Sequence, residues 1–523
     1  TVHEPNLGNR VRVCNRAVMS SYSQFQVAAG AWKADAILAW IREHAAADAE
    51  RKPVLLFDEV HEAAGPESRT GVVMRRLLEE AERVGAEIVF SSATSMTSGR
   101  NIGIYRQALP DTGLSLDQLT EIIESNPFAM QEVLSTEMAR SGTLIQRKMP
   151  SVARRDIRLL ADVDPVKLDE DRQMTDELAG YLREAVAMGA EIREAAVRQA
   201  KHRFGGIASA SSTLNKLQVD TVSPAASFDA ISRYYLISMK GRYTEDLLRE
   251  LYAAGEKATV LQEFTGDSIA EYVMRSSGHA SPNLLPPEGW EVREHPHIGH
   301  VVKRMAERML DVKGTDALGN AITFRIAGFD GWLDDFTARI DESDFSKWRV
   351  NTFDVTREAC SRLGLSFEDI SGRKYEFSED DDRIVVRPRE IPHKMAVANR
   401  FNNGVTDCLM LTSAAATGMS LQNSPYEGAD LRTRAMLFLS FLKNIASHTQ
   451  AEGRIDRTAQ LTPPHYVIPN SGFVADDRLA SLFNRGNRNL SSMTSGSREN
   501  DRTIHEAIDL LNPVGDVAVR QVL

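Results

Sequence analysis

Cysteine is nearly missing from this chain. Only Cys14, Cys360 and Cys408 occur among 523 residues. They lie far apart with no CxxC pair, which excludes a disulfide framework and a cysteine-rich zinc site and suits a reducing compartment. Long apolar runs are missing too. None approaches the roughly 18 residues that span a bilayer, so an integral helical membrane protein is excluded. Nor is there a surplus of positive charge: 62 basic residues stand against 73 acidic ones, a net charge of −11. That is not the balance of a protein that merely coats nucleic acid, although a motor needs only a basic track inside a cleft. The opening TVHEPNLGNRVRV has neither the basic nor the apolar region of a signal peptide, and it starts at Thr1. The chain therefore reads as processed, excised or cloned from something longer.

What is present is an ordinary globular balance, 42% hydrophobic and 26% charged. At about 150 residues per domain the length suggests about three domains. Short apolar runs alternate with amphipathic stretches, the pattern of a parallel α/β sheet. A helix is expected over 32–46, then a buried strand at Pro53–Phe57. Val73, Met74, Leu77, Leu78, Ala81 and Val84 recur at helical spacing, Gly85 ends that helix, and Glu87–Phe90 begins the next strand. Together these make one βαβ unit. Residues 156–225 read as a charged helical accessory segment closing in the hinge-like GGIASASSTLNK. A second α/β region follows. Thr244 is placed to cap the helix EDLLRELYAAG, and strands are expected at Ala258–Gln262, Cys408–Leu411, Met436–Leu439 and Tyr466–Ile468. Helices are expected near Ala396–Phe401 and over 443–452, and residues 275–350 break the alternation as an insertion. The expected boundaries are 1–155, 156–225 and 226–523.

The most informative residues are Asp58, Glu59 and His61, directly after the strand VLLF. A carboxylate pair at the end of a buried parallel strand sits where open α/β sheets bind ligands. In a nucleotide hydrolase the first acid serves Mg²⁺ through water and the second orients the attacking water. An acidic pair also simply solubilises a strand end. One helix and one strand later comes Ser91-Ser92-Ala93-Thr94. Hydroxyls leaving the neighbouring strand can bond those carboxylates, or serve only as a turn or cap. In the second region, Gln450-Ala-Glu-Gly453-Arg454-Ile-Asp-Arg457 spaces two arginines so that a helix would present both on one face, as arginine fingers or as a solvated surface. Upstream, Thr412–Ser420 is a small-residue loop after a strand, with Gly418 and Ser420 able to let backbone approach a ligand.

These four elements, in this order, resemble motifs II, III, V and VI of superfamily 2 helicases. The chain is similar to the strawberry notch family of helicase-like ATPases, which includes phage antirestriction relatives. FDEVHEA, SSATSMTSGRN, MARSGTLIQRKM, GEKATVLQEFTGDS, LSFEDISGRK, LTSAAATGMSLQ and QAEGRIDRTAQ carry the resemblance. It implies two RecA-like parallel-sheet domains, the second holding the insertion, with ATP and Mg²⁺ in the cleft and nucleic acid, expected to be DNA, crossing both. By position it assigns Asp58 to Mg²⁺ and Glu59 to water. His61, Ser92 and Thr94 would couple the domains. Gly418 and Ser420 would lie near the nucleotide or the nucleic-acid strand, Gly453 near the nucleotide, and Gln450, Arg454 and Arg457 near the phosphates. The expected compartment is cytoplasmic, or a virion for a phage protein and the nucleus for a eukaryotic one.

The departure from the family pattern is large. Its P-loop, GxxxxGK[ST], cradles phosphates with backbone N–H groups and a lysine. This chain contains no Gly-Lys dipeptide. The expectation is a first domain that stops short of its P-loop, which a separate segment or polypeptide would carry, and a chain that hydrolyses ATP poorly by itself. The competing class is a non-catalytic scaffold that keeps the helicase fold. For nucleic acid, Arg100 and the basic stretch with Arg147, Lys148, Arg154 and Arg155 are the candidates, read as a channel element of the first domain or as plain surface. Finally, Glu294-His-Pro-His-Ile-Gly-His300 offers three histidines to a transition metal, although a solvated loop entering a helix is the simpler expectation.

Overall fold

The structure is a computed structural model. It describes residues 12–13, 17–26, 30–47, 52–63, 65, 67–92, 99–145, 152–204, 218–221, 224–279, 281–315, 321–412 and 419–495. The chain divides into two compact units, Thr1–Ser151 together with Ala480–Leu523, and Val152–Leu479.

In the first unit, strands Val54–Asp58 and Glu87–Ser91 pair in parallel, Asp58 opposite Ser91. Helix Arg69–Val84 joins them, begun by the Ser68 side chain accepting from the Gly71 N–H and ended by Gly85 at φ 67°. That left-handed angle is what favours glycine there. Leu38 and Ile41 of helix Gly30–Ala47, Leu55 and Phe57 of the first strand, and Met74, Leu77 and Ala81 of the joining helix form the core. Only one face of the sheet is filled among the described residues: Val54, Leu56 and Val89 are 57%, 67% and 47% exposed.

The second unit is built on a six-stranded sheet. In spatial order its strands are Phe367–Ile370, Cys408–Leu411, Lys257–Leu261, Arg434–Phe438, His465–Asn470 and Arg154–Leu159, all parallel. The three central strands are buried at every position, as parallel strands covered on both faces must be. Burying Lys257 and Arg434 requires partners. Lys257 Nζ reaches the Phe401 carbonyl and Asp430 Oδ2 (2.7 Å for the latter), and Arg434 donates to the carbonyls of Leu421, Arg432 and Asp430 at 2.9–3.0 Å.

The sixth strand corrects the expected boundary at residue 155. Arg154–Leu159 is an edge strand of the second sheet, paired along its length with His465–Asn470. Nor is the following segment a linker. Helix Pro165–Phe204, 40 residues long, lies against the residues that interrupt the alternation. Glu184 takes Arg339 Nη2 at 2.7 and 2.8 Å and the Trp332 indole at 3.0 Å, while Gln199 donates to the Ala327 carbonyl at 3.0 Å. Asp171, fully buried, is met by Tyr243 and Trp348 at 2.7 Å each and by Arg242. Thr244 does not cap its helix. Tyr243 holds that position without a side-chain bond, and Thr244 is buried as the first helical residue.

The histidine cluster is neither a solvated loop nor a metal site. His297 and His300 are buried and form the capping box of helix Ile298–Met309. Each Nδ1 accepts a backbone N–H, from Gly299 and His297 respectively, at 3.2 Å. The proton of each neutral ring therefore sits on Nε2, and both Nε2 atoms face Glu294 oxygens at 3.0 Å. These ligand atoms do lie within 4.8 Å of one another. A metal on Nε2 would shift each proton to Nδ1, straight against an N–H donor.

Burial pushes the His300 pKa down to about 4 from 6.5. Hydrogen bonds from His297 and His300 hold the Glu294 carboxyl well below its usual range. Both depressions act with one sign. The unfolded chain takes up protons first as pH falls, so the stability present above about 6.5 is lost on the way down to about 4. Melting curves across that interval should show the loss. His300→Gln, which keeps a capping-box side chain, should flatten it, and an unchanged pH slope in this variant would refute the assignment.

Candidate functional site

The sequence-chosen residues of the first unit do come together. Parallel pairing sets Asp58 beside Ser91, whose hydroxyl donates to Asp58 Oδ1 at 2.9 Å. Glu59 turns the chain off the strand at φ 50°, an angle that costs a non-glycine residue roughly 1–3 kcal/mol and persists only where neighbours impose it. Close by is His61, in a short 3-10 turn, with Nδ1 2.8 Å from Ser92 Oγ and 3.3 Å from Glu59 Oε2, the latter a close approach rather than a hydrogen bond. One buried imidazole thus touches both Glu59, the second acid after the strand, and the serine at the end of the next strand. Asp58 is exposed, and its second oxygen has no partner among the described residues. Thr94 lies outside the described residues. Arg100 stands exposed at the start of the 3-10 helix Gly99–Ala108.

In the second unit, helix Ile445–Glu452 stops before both arginines. Arg454 and Arg457 are therefore not displayed on one helical face. Both occupy the turn after it. Arg454 is buried and its Nη1 donates to the Met419 carbonyl at 2.8 Å, while the Leu421 N–H returns a bond to the Arg454 carbonyl at 2.8 Å. Arg457 Nε donates to the Gly453 carbonyl at 3.0 Å. This lacing brings the arginine turn against Met419–Leu421. Ser420 is held there through its carbonyl, which accepts from Asn402 Nδ2 at 2.8 Å. Gln450 is half-buried near the end of the helix. Gly418, Arg147 and Lys148 fall outside the described residues.

Arg155 has a different role from the one its basic neighbours suggest. Its guanidinium holds Glu452 at 2.9 and 3.0 Å and lies 4.3 Å from the Tyr466 ring centre. Glu452 is 1% exposed. Arg155 is thus a structural clamp on the residue before Gly453, not a channel contact. Arg154 is exposed and paired with Asp156. The one signal for the clamp was the acid in QAEGR, which the motif does not need.

Residues 366–523 match the family model Helicase_C_4, described as the C-terminal domain on Strawberry notch homologue. This part of the chain is similar to the C-terminal helicase domain of strawberry notch homologues. Three of the seven segments that carried the sequence resemblance, LSFEDISGRK, LTSAAATGMSLQ and QAEGRIDRTAQ, begin at or within a residue of that stretch or inside it. The chain is also similar to Protein strawberry notch homolog 1 of Gallus gallus, 28% identical over 162 residues, which is 29% of this chain and 13% of that protein. The homologue of Homo sapiens is 29% identical over 157 residues, 28% of this chain and 11% of that protein. The match thus spans about an eighth of these relatives. Among solved structures, the C-terminal part of the Fun30 ATPase domain aligns with 64% of this chain and 90% of its own, at 9% identity and a TM-score of 0.24, too slight a likeness to argue from.

Arg155→Ala would leave Glu452 buried without its guanidinium partner, with the His448 ring 3.5 Å away as the other group beside it, a loss of up to about 3–5 kcal/mol by analogy with other buried pairs. Urea unfolding should register it, with Arg155→Ala/Glu452→Gln less destabilised than the sum of the single changes. Additive losses would mean the pair is not coupled.

Proposed function

We propose that this chain is the motor portion of a strawberry notch type helicase-like protein, remodelling nucleic acid at the expense of ATP. The observation that carries the reading is the His61 bridge between Glu59 and Ser92, beside the Ser91–Asp58 bond. Solubility at a strand end calls for none of these contacts, whereas a hydrolase that must relay the state of its acids to the rest of the molecule calls for all of them. In this reading Asp58 serves Mg²⁺ through water. Its exposed carboxylate and open oxygen suit that task, since Mg²⁺ keeps most of its waters and takes few protein ligands. Glu59 orients the attacking water, and His61, Ser92 and Thr94 relay the change. Gly418, Ser420 and Gly453 approach the nucleotide, and Gln450, Arg454 and Arg457 the phosphates. DNA is the proposed cargo, met in part by Arg100, Arg147 and Lys148, and an antirestriction role in a phage or bacterium is the proposed setting.

The phosphate cradle is the missing part, because no Gly-Lys pair exists in the chain. We assign it to a separate segment or polypeptide. The Val54, Leu56 and Val89 face, bare among the described residues, supports this, since parallel sheets are stable when both faces are covered. The same absence favours the second reading, a helicase fold kept as a scaffold.

Phosphate release separates the two. The purified chain should turn over ATP at background rate with or without single-stranded DNA, and Glu59-dependent turnover by the chain alone would sink the incomplete-motor account. When joined to a P-loop-bearing segment, the motor reading expects ATPase activity that Glu59→Gln abolishes while nucleotide binding survives. A scaffold would be indifferent to that substitution.

A further inference from the structure

The residues that break the α/β alternation bring a set of arginines to the ligand-binding end of the second sheet. Helix Asp267–Ser276 starts a few residues beyond the C-terminal end of the central strand Lys257–Leu261, the end at which parallel sheets take their ligands. Helix Ile298–Met309 packs against it. Tyr272 joins the two: its hydroxyl donates to Glu307 Oε1 at 2.6 Å, and its ring centre lies 6.0 Å from that of His300. His300, Arg304, Glu307 and Arg308 share one helical stripe. Arg304 therefore lies between the two residues that Tyr272 touches, with Arg308 one turn further on. Arg275 is one turn beyond Tyr272, in the last turn of its own helix.

The acids of this neighbourhood are already engaged. Glu307 accepts from Tyr272. Glu271 accepts from the Tyr375 hydroxyl at 3.2 Å and stands 3.5 Å from Arg275. Asp267 accepts the Lys374 N–H and the Thr265 hydroxyl, both at 3.0 Å, and Glu263 accepts from Arg233 at 2.8 Å. Among the described residues, neither Arg304 nor Arg308 has a carboxylate within ion-pair distance. Arg304 is nonetheless half-buried. Desolvation, followed by the charges of Arg308 and Arg275, lowers its pKa from the usual guanidinium range. Only the charge of Glu271, itself 3.5 Å from Arg275, offsets these like charges; holding such a group there is unfavourable, and an anion would relieve it. Tyr234, within electrostatic reach of Arg304, stacks on Phe264 with ring centres 4.6 Å apart at 18°, and both rings are partly exposed.

We propose that Arg304, Arg308 and Arg275 hold backbone phosphates of a single-stranded nucleic acid, with its bases against the Tyr234–Phe264 pair. Cations along a backbone track next to an aromatic platform are how strands are held without sequence preference. The assignment rests on the reading of this chain as a nucleic-acid remodeller. Its three arginines lie outside every segment that carries the family resemblance, while Phe264 falls within GEKATVLQEFTGDS.

The test is fluorescence anisotropy of labelled oligothymidylate with the whole chain over a series of salt concentrations. Arg304→Ala/Arg308→Ala should bind about tenfold more weakly, with a salt slope smaller by about 0.7 for each lost phosphate contact. Arg304→Lys, which keeps the charge, should recover most of the affinity. Arg193→Ala, an exposed arginine on the long helix, should bind as the unaltered chain does. Should Arg304→Ala lower the melting temperature, the exposed Arg308→Glu alone reads the same site. Unaltered affinity and slope in the double variant, with the parent chain binding, would overturn the site and leave the functional reading intact. If the parent chain fails to bind at all, both fall. Inorganic phosphate titrated alone separates the sources: affinity equal to that of the oligonucleotide would replace the strand with a free-anion site.

Discussion

Glu452 is almost wholly buried, and the two nitrogens of Arg155 give its carboxylate a bidentate partner that the nearby His448 ring, 3.5 Å away, does not supply. Much of the second unit follows from that pair. Arg155 comes from the start of the unit and Glu452 from near its end. Satisfying the acid therefore draws strand Arg154–Leu159 to the edge of the sheet beside His465–Asn470. The Tyr466 ring stacks on the Arg155 guanidinium, and its hydroxyl donates to the Glu452 carbonyl at 3.1 Å. Residue 452 is thus held by side chain and backbone alike. Since helix Ile445–Glu452 ends there, the turn with Gly453, Arg454 and Arg457 begins from a fixed point. Arg454 can then reach the Met419 carbonyl and lace that turn to Met419–Leu421.

The parts legible in the sequence were those where one periodicity acts alone. The central strands are buried at every position, so they read as continuous apolar runs, and they were placed to within about two residues. The DExH and serine elements were legible because a parallel pair in register brings the ends of its strands together without help from the rest of the chain. Edge and polar features were not legible. RRDIRL has the composition of a basic surface, and only its far-away partner strand makes it part of a sheet. The three histidines looked like ligands or solvated loop because nothing local says that both Nδ1 atoms will face backbone N–H groups. Arg454 and Arg457 have helical spacing, but Glu452 ends the helix first. The spacing is real and the display it implied is not.

An acidic chain must keep its arginines away from its own carboxylates wherever it is to meet an anion. That makes the partner of each arginine more informative than the total charge. Arg155, Arg373 and Arg242 are committed to buried carboxylates, and Arg434 to backbone carbonyls. They hold the fold and cannot also serve as a binding surface without undoing it. Arg100 in the first unit, and Arg304 and Arg308 in the second, carry no such commitment among the described residues. Arg304 is the unusual one, since a surface arginine needs no partner while a half-buried one does. With 73 acidic residues in the chain, an acid could have stood opposite it. Glu271 and Glu307 instead accept from tyrosine hydroxyls, and Glu271 also stands 3.5 Å from Arg275. That arrangement keeps the positive charge available, and an anion from outside the chain is the simplest thing it could be kept for.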